Sequence, residues 1–112
     1  MLMQIVTFHL TGMTPAEYAH MCEDKLAAVF EQMPGLVSKA WLSNPETNTY
    51  GGVYMWQDQA SLDAYKAGPI FQSLPEMPFV TGVTSQEFGL LEEPSRRCRA
   101  LSAFEMAAVG AQ

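Results

Sequence analysis

The chain has 112 residues, of which 48% are hydrophobic and 16% charged, and this balance predicts one globular domain and argues against disorder. The net charge of −6 disfavours nucleic acid as a partner, because phosphate binding requires a basic surface. No apolar run approaches the roughly 18 residues of a membrane span, and the N-terminal MLMQIVTFHL lacks the basic start of a signal peptide. We therefore predict a cytoplasmic protein with no membrane partner.

Metal and nucleotide chemistry have no support in the sequence. The two cysteines, Cys22 and Cys98, show neither CxxC nor Cys/His spacing, which predicts small reduced hydrophobic residues and not a disulfide framework. Histidines, cysteines and carboxylates do not recur at ligand spacing, and there is no glycine-rich phosphate loop. We therefore expect no metal and no cofactor.

The first half of the chain predicts a strand, a helix and a hairpin. Residues 2–10 are rich in β-formers, and Thr14-Pro15-Ala16-Glu17 is a capping box that starts a helix. The helix carries an apolar stripe and ends at Pro34-Gly35. The stripe consists of Tyr18, Cys22, Leu26, Val29 and Met33, with Met21 and Phe30 beside it. Strands at 36–43 and 50–57 flank the turn residues NPETNT, which indicates a hairpin.

The second half predicts a broken helix and a last strand. Asp58 can cap a helix holding Leu62 and Tyr65, and Gly68-Pro69 interrupts it before a short helical piece. Residues 79–91 read as the fourth strand, with Gly82 suited to a bulge. Beyond Pro94 the chain is weakly helical, with a modest apolar face made of Leu101, Phe104 and Ala108.

The element order β-α-β-β-α-β predicts an α+β, ferredoxin-like fold. Its four-stranded antiparallel sheet carries both helices on one face and leaves the other face uncovered. We assign residues 1–93 to this domain and residues 94–112 to a C-terminal extension.

Alternation along the hairpin separates its side chains into two sets. We expect an aliphatic set to pack under the helices: Leu36, Ala40, Leu42, Val53 and Met55. The opposite set would then lie on the uncovered face: Val37, Lys39, Trp41, Gly52, Tyr54 and Trp56. Exposed aromatic residues in such a patch indicate an interface or a ligand site, and two sheets packed face to face would close a homodimer. On the first strand, Thr7 and His9 are expected to face the cavity, because the alternate residues are more apolar.

The segment from Pro34 to Phe71 resembles the YdhR-type family of monooxygenase-like proteins, within the antibiotic-biosynthesis-monooxygenase-like dimeric α+β barrels. The matching features are Pro34-Gly35, Lys39-x-Trp41, Glu46, the run GGVYMW at 51–56, and Gly68-Pro69. The resemblance implies a homodimer and a cofactor-independent oxygenase. Related enzymes oxidise anthrone-like or quinol-like aromatic compounds with O₂ and need neither metal nor flavin.

Lys39, His9 and Tyr54 are the catalytic candidates. Lys39 can hold an anionic substrate or act as a base if it is buried, against the alternative of a solvated lysine that guards a sheet edge. His9 suits a general base near neutral pH, against the commoner role of a hydrogen-bonded surface residue. Substrate-binding candidates are Trp41, Gly52, Trp56 and Thr7, although the aromatic residues among them could equally be interface packing.

The function predicted from these observations is oxidation of a small aromatic, quinol or polyketide-like substrate in a pocket of a homodimeric barrel. Two alternatives stay open. One is a dimer that binds a small hydrophobic molecule without turning it over, and the other is an isomerase or cyclase that works without O₂ on the same fold.

Overall fold

A computed structural model describes residues 1–100 as a four-stranded antiparallel sheet with its helices packed on one face. The predicted β-α-β-β-α-β order and the ferredoxin-like fold are confirmed. The strands are β1 (Leu2–Leu10), β2 (Leu36–Asn44), β3 (Thr49–Trp56) and β4 (Val80–Gly89). They lie in the order β2-β3-β1-β4, so β2 and β4 are the two edges.

The first helical segment changes its pitch in the middle. Helix α1 (Pro15–Met21) continues as a π-helical turn (Cys22–Leu26) and then as α2 (Ala27–Glu31). A π-turn inserts one residue relative to α-helical spacing, so it rotates the face presented downstream. Phe30 is accordingly buried, whereas Val29, which the regular stripe would point inward, is 43% exposed.

The helix caps predicted from the sequence are present in the structure. The Thr14 hydroxyl accepts from the Glu17 N–H at 3.1 Å, and the Glu17 carboxylate accepts from the Thr14 N–H at 2.9 Å. Asp58 caps α3 (Gln59–Ala67) by accepting from the Ser61 N–H at 2.8 Å. Gly68 then separates α3 from α4 (Pro69–Ser73), which leads into a 3₁₀ turn (Leu74–Glu76).

The two faces of the hairpin are reversed relative to the prediction. Tyr54 and Trp56 are 4% and 0% exposed and belong to the core under the helices, together with Phe30, Leu62 and Tyr65. Val53 and Met55 therefore point to the uncovered face, where they are half-buried. Both sets are apolar, so alternation alone could not decide which set the helices cover.

Two bulges adjust the register of the sheet. On β2 the pairing shifts between Leu36 and Ser38, so Leu36 lies opposite Trp56 and packs against the core as expected. Its partners in the predicted aliphatic set do not share that face: Ala40 pairs with Val53 on the open side. The bulge predicted at Gly82 is confirmed by a register shift between β1 and β4, where Gly82 has a φ of +66°.

The C-terminal part of the described chain holds a short helix, α5 (Glu92–Arg97). The boundary between residues 93 and 94 stays a prediction. The apolar face expected from Leu101, Phe104 and Ala108 lies outside the described residues. Among residues 1–100, no helix is both long and apolar enough to cross a membrane.

Gly51 allows β3 to approach β1 closely. Its φ is +147°, and a Cβ built there would collide with the carbonyl group of Val6. We expect Gly51→Ala to lower the free energy of unfolding by about 2 kcal/mol or more, because it combines backbone strain with that collision. The measurement is denaturant unfolding followed by tryptophan fluorescence.

Gly89→Ala is the matched control, because a Cβ at that position meets no atom within 4 Å. Its effect should stay within about 0.5 kcal/mol. Equal stability losses in the two variants would contradict this account of Gly51.

Candidate functional site

A cavity of about 60 Å³ lies between the sheet and the helices. Its walls are largely apolar and aromatic, and they come from β1, β2, β3, the start of β4 and the helical layer. The lining side chains with polar or charged groups are Tyr18, Lys39, Trp41, Tyr54 and Tyr65. A mostly apolar cavity with a few convergent polar groups is typical of a small-molecule site.

Lys39 places its amine against three aromatic rings. Its Nζ lies 3.3 Å from the ring centroid of Phe30, 3.5 Å from that of Trp41 and 4.6 Å from that of Tyr54. The negative faces of such rings attract an ammonium group. We call Phe30, Trp41 and Tyr54 the aromatic cage.

The aromatic cage contacts the Lys39 amine at the place where a buried ammonium group would ordinarily have a carboxylate partner. In the part of the chain that the structure describes, Lys39 takes part in no ion pair, whereas the N-terminus pairs with Glu92 and Lys66 pairs with Glu87. Burial lowers the pKa of Lys39 from its ordinary 10.5 to about 7, with the nearby Cys22 opposing the shift. A neutral amine is therefore accessible near physiological pH, which favours the interpretation of Lys39 as a base over that of a solvated lysine.

The absence of a side chain at Gly52 leaves space for the Lys39 side chain. A Cβ at this position would lie 2.8 Å from Lys39 Cε and 3.1 Å from Tyr54 Cε1. The missing side chain leaves room that the Lys39 side chain occupies, and Gly52 does not line the cavity, so a substrate-binding role for Gly52 stays a prediction.

The tyrosines of the cavity are kept in their protonated form. Burial raises the pKa of Tyr18, Tyr54 and Tyr65 above the ordinary tyrosine value. The Tyr65 hydroxyl donates to the Tyr54 hydroxyl at 3.5 Å. Burial also raises the pKa of Cys22, which is half-buried beside Tyr18. The cavity thus combines one basic amine with neutral hydroxyl donors.

Trp56 packs against Tyr54 and does not itself line the cavity. Its ring stacks on Tyr54 with centroids 6.1 Å apart and planes 6° apart. Its Nε1 donates to Gln4 Oε1 at 3.0 Å, and Gln4 Nε2 in turn donates to Ser85 Oγ at 3.1 Å. These hydrogen bonds hold Trp56 in place, and Trp56 in turn fixes the orientation of Tyr54 by stacking on its ring.

The expectation that Thr7 and His9 face this cavity is wrong. Their neighbours Val6 and Phe8 are buried on the helical side, so Thr7 and His9 point to the opposite face of β1. Thr7 Oγ1 lies 2.6 Å from Thr84 Oγ1, and His9 Nδ1 lies 2.8 Å from the carbonyl oxygen of Asn48. The more apolar residues of β1 face the helices because those positions form the core. A catalytic role for His9 stays a prediction.

Sequence reasoning missed the contributions of the helical layer. Phe30 completes the aromatic cage, while Tyr18 and Tyr65 supply hydroxyl groups. The apolar stripe contained Tyr18 and had Phe30 beside it, so its aromatic members were the available signal. The π-turn that brings Phe30 into position has no such signal in the sequence.

Two surface grooves adjoin the cavity along the edge strand β2. Lys39, Trp41 and Glu31 contribute to one groove of about 260 Å³. Trp41, Tyr18 and Cys22 contribute to another of about 360 Å³ between α1 and β2. Trp41 is 37% exposed and lines all three spaces, so it forms part of the wall between the cavity and the surface. Among residues 1–100, no group of three or more histidines, cysteines and carboxylates is placed to hold a metal ion.

The partly buried Lys39 should make stability depend on pH in a specific direction. The pKa of Lys39 is lower in the folded protein than in the unfolded chain. Between about pH 7 and pH 10.5 the unfolded chain therefore binds more protons than the folded protein. The contribution of Lys39 to the free energy of unfolding accordingly rises with pH across that window. We expect Lys39→Met to be stabilised relative to wild type at about pH 6 and to lose this rise, as measured by thermal unfolding from about pH 6 to pH 9.

Exposed Lys25 provides the control, since Lys25→Met should keep the wild-type pH dependence. Parallel curves for wild type and Lys39→Met would show that the amine is not desolvated in solution.

Several solved structures share the fold. SnoaB from Streptomyces nogalater, a cofactor-independent oxygenase, is 22% identical with a TM-score of 0.60, and the match covers 81% of this chain and 93% of SnoaB. The heme-degrader MhuD from Mycobacterium tuberculosis, solved with two hemes in its active site, is 20% identical with a TM-score of 0.56, over 83% of this chain and 98% of MhuD.

A third similar structure is the ActVA-Orf6 monooxygenase of Streptomyces coelicolor in complex with nanaomycin D. It is 16% identical with a TM-score of 0.60, over 80% of this chain and 86% of that one. These identities establish the shared fold alone. The chain matches none of the curated proteins.

The family resemblance read from the sequence is confirmed by a family model. The model described as "Putative mono-oxygenase ydhR" matches residues 2–101, which extends beyond the segment that carried the resemblance. The chain therefore belongs to the YdhR family of monooxygenase-like proteins.

Proposed function

We propose that this protein is a cofactor-independent monooxygenase that oxidises a small aromatic, quinol or polyketide-like substrate with O₂. The observation that carries the proposal is the Lys39 amine, held in an aromatic cage at the wall of a cavity, with its pKa lowered to about 7 by burial. Such an amine can accept a proton at physiological pH without any partner carboxylate.

The chemistry follows from what these side chains can do. The neutral Lys39 amine takes the proton from a substrate hydroxyl, and the resulting ammonium stabilises the anion that it leaves. Tyr54 lines the same cavity and stays protonated, so its hydroxyl can donate to the developing charge. The aromatic walls hold a flat ring, and the electron-rich anion can pass an electron to O₂ directly.

The size of the cavity restricts the substrate. About 60 Å³ holds a few water molecules and is far below the roughly 300 Å³ of an ordinary ligand pocket. Entry therefore requires the wall to move, and Trp41 is the exposed part of that wall beside the two surface grooves. Met21 and Met77 also line the cavity, and methionine side chains adapt readily to new shapes. Single-ring quinols fit this arrangement better than fused ring systems.

The shared fold is consistent with this chemistry. SnoaB is described as a cofactor-independent oxygenase, and ActVA-Orf6 is a monooxygenase that binds nanaomycin D. At identities of 22% and 16%, these relatives make the reaction class reasonable without locating any residue.

Oxygen consumption with a panel of quinols and anthrones, measured in the presence of a chelator, tests the proposal. Lys39→Met should lower kcat/KM by roughly a hundred-fold or more, since it removes the base, while Lys25→Met keeps the wild-type rate. Wild-type kcat/KM should rise as the pH increases through about 7, because the base must be neutral to accept a proton. The absence of uptake with every compound would reject the proposal.

A ligand-binding protein without turnover is the second candidate, and the largely apolar cavity lining favours it. Binding would then depend on apolar contact, so Lys39→Met and His9→Ala would leave the affinity for an aromatic ligand nearly intact. Tight binding without oxygen uptake, unchanged in both variants, would favour this function over the oxygenase.

We also propose a homodimer formed by packing of the uncovered sheet faces. The residues on this face are those that alternate away from the core, and the large apolar ones among them include Met3, Ile5, Val53, Met55 and Phe88. Phe88 is 47% exposed and the other four are half-buried in the single chain. An apolar face of this extent is typical of a surface that is covered by a partner.

Light scattering at micromolar concentration tests the assembly. We expect a dimeric mass for the wild type and a monomeric mass for Val53→Lys, because a charge at the centre of the face would be buried unpaired. Gln59→Lys introduces the same charge on an exposed helical position and should remain dimeric. A monomeric wild type would contradict the proposed interface.

A further inference from the structure

We propose that Lys39 is a carbonyl-capture site, at which Nζ forms a reversible Schiff base with small uncharged aldehydes and ketones carrying a flat apolar group. This activity goes beyond the oxygenase, because it uses Lys39 as a nucleophile and requires no O₂.

The surroundings of Lys39 favour nucleophilic attack. Its Nζ lies over the rings of Phe30 and Trp41, and the side chain lines both the cavity and the groove along β2, so a carbonyl compound can approach from the surface. Desolvation in an apolar pocket is one of the ways in which proteins activate lysine, and the lowered pKa of Lys39 agrees with it.

The other two lysines of the chain differ from Lys39 in these respects. Lys66 Nζ lies 2.7 Å from Glu87 Oε2, and this hydrogen bond raises its pKa. Lys25 is exposed on the helical segment. Of the three lysines, one is thus caged, one is ion-paired and one is solvated.

The step balances with groups present in the site. The nitrogen lone pair forms the C–N bond while the carbonyl oxygen takes up a proton, and the nitrogen loses a proton. Loss of the hydroxyl group as water then gives the imine, so the overall change is amine plus carbonyl to imine plus water. Tyr54 remains protonated at the cavity wall and can supply the proton that the leaving oxygen needs.

The same surroundings select the class of carbonyl compound. The three rings of the cage offer contact for a flat apolar group, and Lys39 itself is the only cationic side chain among the described residues that line the cavity, so an added carboxylate finds no second cation there. Glu31 lines the groove through which a ligand approaches, and the chain carries a net charge of −6. Carbonyl compounds with a carboxylate are therefore disfavoured relative to uncharged ones.

The test is site-resolved labelling of the wild-type protein under anaerobic conditions. The protein is incubated near pH 7 with benzaldehyde and cyanoborohydride, and the modified amines are located by peptide mass spectrometry at Met1, Lys25, Lys39 and Lys66. We expect Lys39 to be labelled at least roughly ten-fold faster than Lys25 and Lys66. Glyoxylate, which carries a carboxylate, should label Lys39 roughly ten-fold more slowly than benzaldehyde does.

Gly52→Ala provides a matched variant that retains all three lysines. Its new Cβ displaces Lys39 Cε, so labelling should slow at Lys39 and stay unchanged at Lys25 and Lys66, with folding checked by circular dichroism. Labelling of wild-type Lys39 no faster than of the other two lysines would overturn the proposal, and equal labelling by glyoxylate would overturn the selectivity for uncharged carbonyls. Because O₂ is excluded, a protein that labels at Lys39 but consumes no O₂ with quinols would retain this site while losing the oxygenase function.

Discussion

Lys39 holds an amine in a place where water is scarce and where, among residues 1–100, no carboxylate pairs with it. A charge in such a position is costly unless something replaces its hydration. The aromatic cage does this in part, and the rest of the cost appears as a preference for the neutral amine. Much of the surrounding structure consists of the elements that bring the three rings to one point: an edge strand, a central strand and a helix with an inserted π-turn.

The rings are themselves held by a second layer of contacts. Tyr54 stacks on Trp56, Trp56 is hydrogen-bonded to the fully buried Gln4, and Tyr65 packs against both rings with centroids 5.5 and 5.1 Å away. Phe30 contacts Trp41 edge to face at 5.6 Å. Such pairs each contribute about 1 kcal/mol beyond simple burial, so together they restrict the ring positions strongly. Trp41 is the exception, because it lies at the sheet edge with more than a third of its surface in water.

Local signals in the sequence were sufficient for the framework. The Thr14 capping box, the Asp58 cap, the Gly68-Pro69 break and the hairpin each act through neighbours a few residues apart, so they can be read without tertiary information. Grouping Lys39, Trp41, Gly52 and Tyr54 on one face was also correct, because strand alternation is local. The choice of face was wrong, since both faces are apolar and only contacts with distant helices distinguish them. For Thr7 and His9 the error was the position of the cavity, because the more apolar residues of β1 do face the helices and the cavity lies on that side. The π-turn that orients Phe30 likewise depends on contacts that local sequence does not show.

Gly52 and Lys39 also constrain each other across the two strands. The amine reaches the cage only because nothing occupies the volume beside its Cε, and that volume is smaller than one methyl group would need. In an alignment of relatives, lysine at the position of Lys39 should therefore co-occur with glycine at the position of Gly52. A chain with lysine and alanine at these positions would have to turn the amine outward along the sheet edge, where it would be fully charged. This residue pair would then separate members of the family with a neutral buried amine from members with an ordinary surface cation.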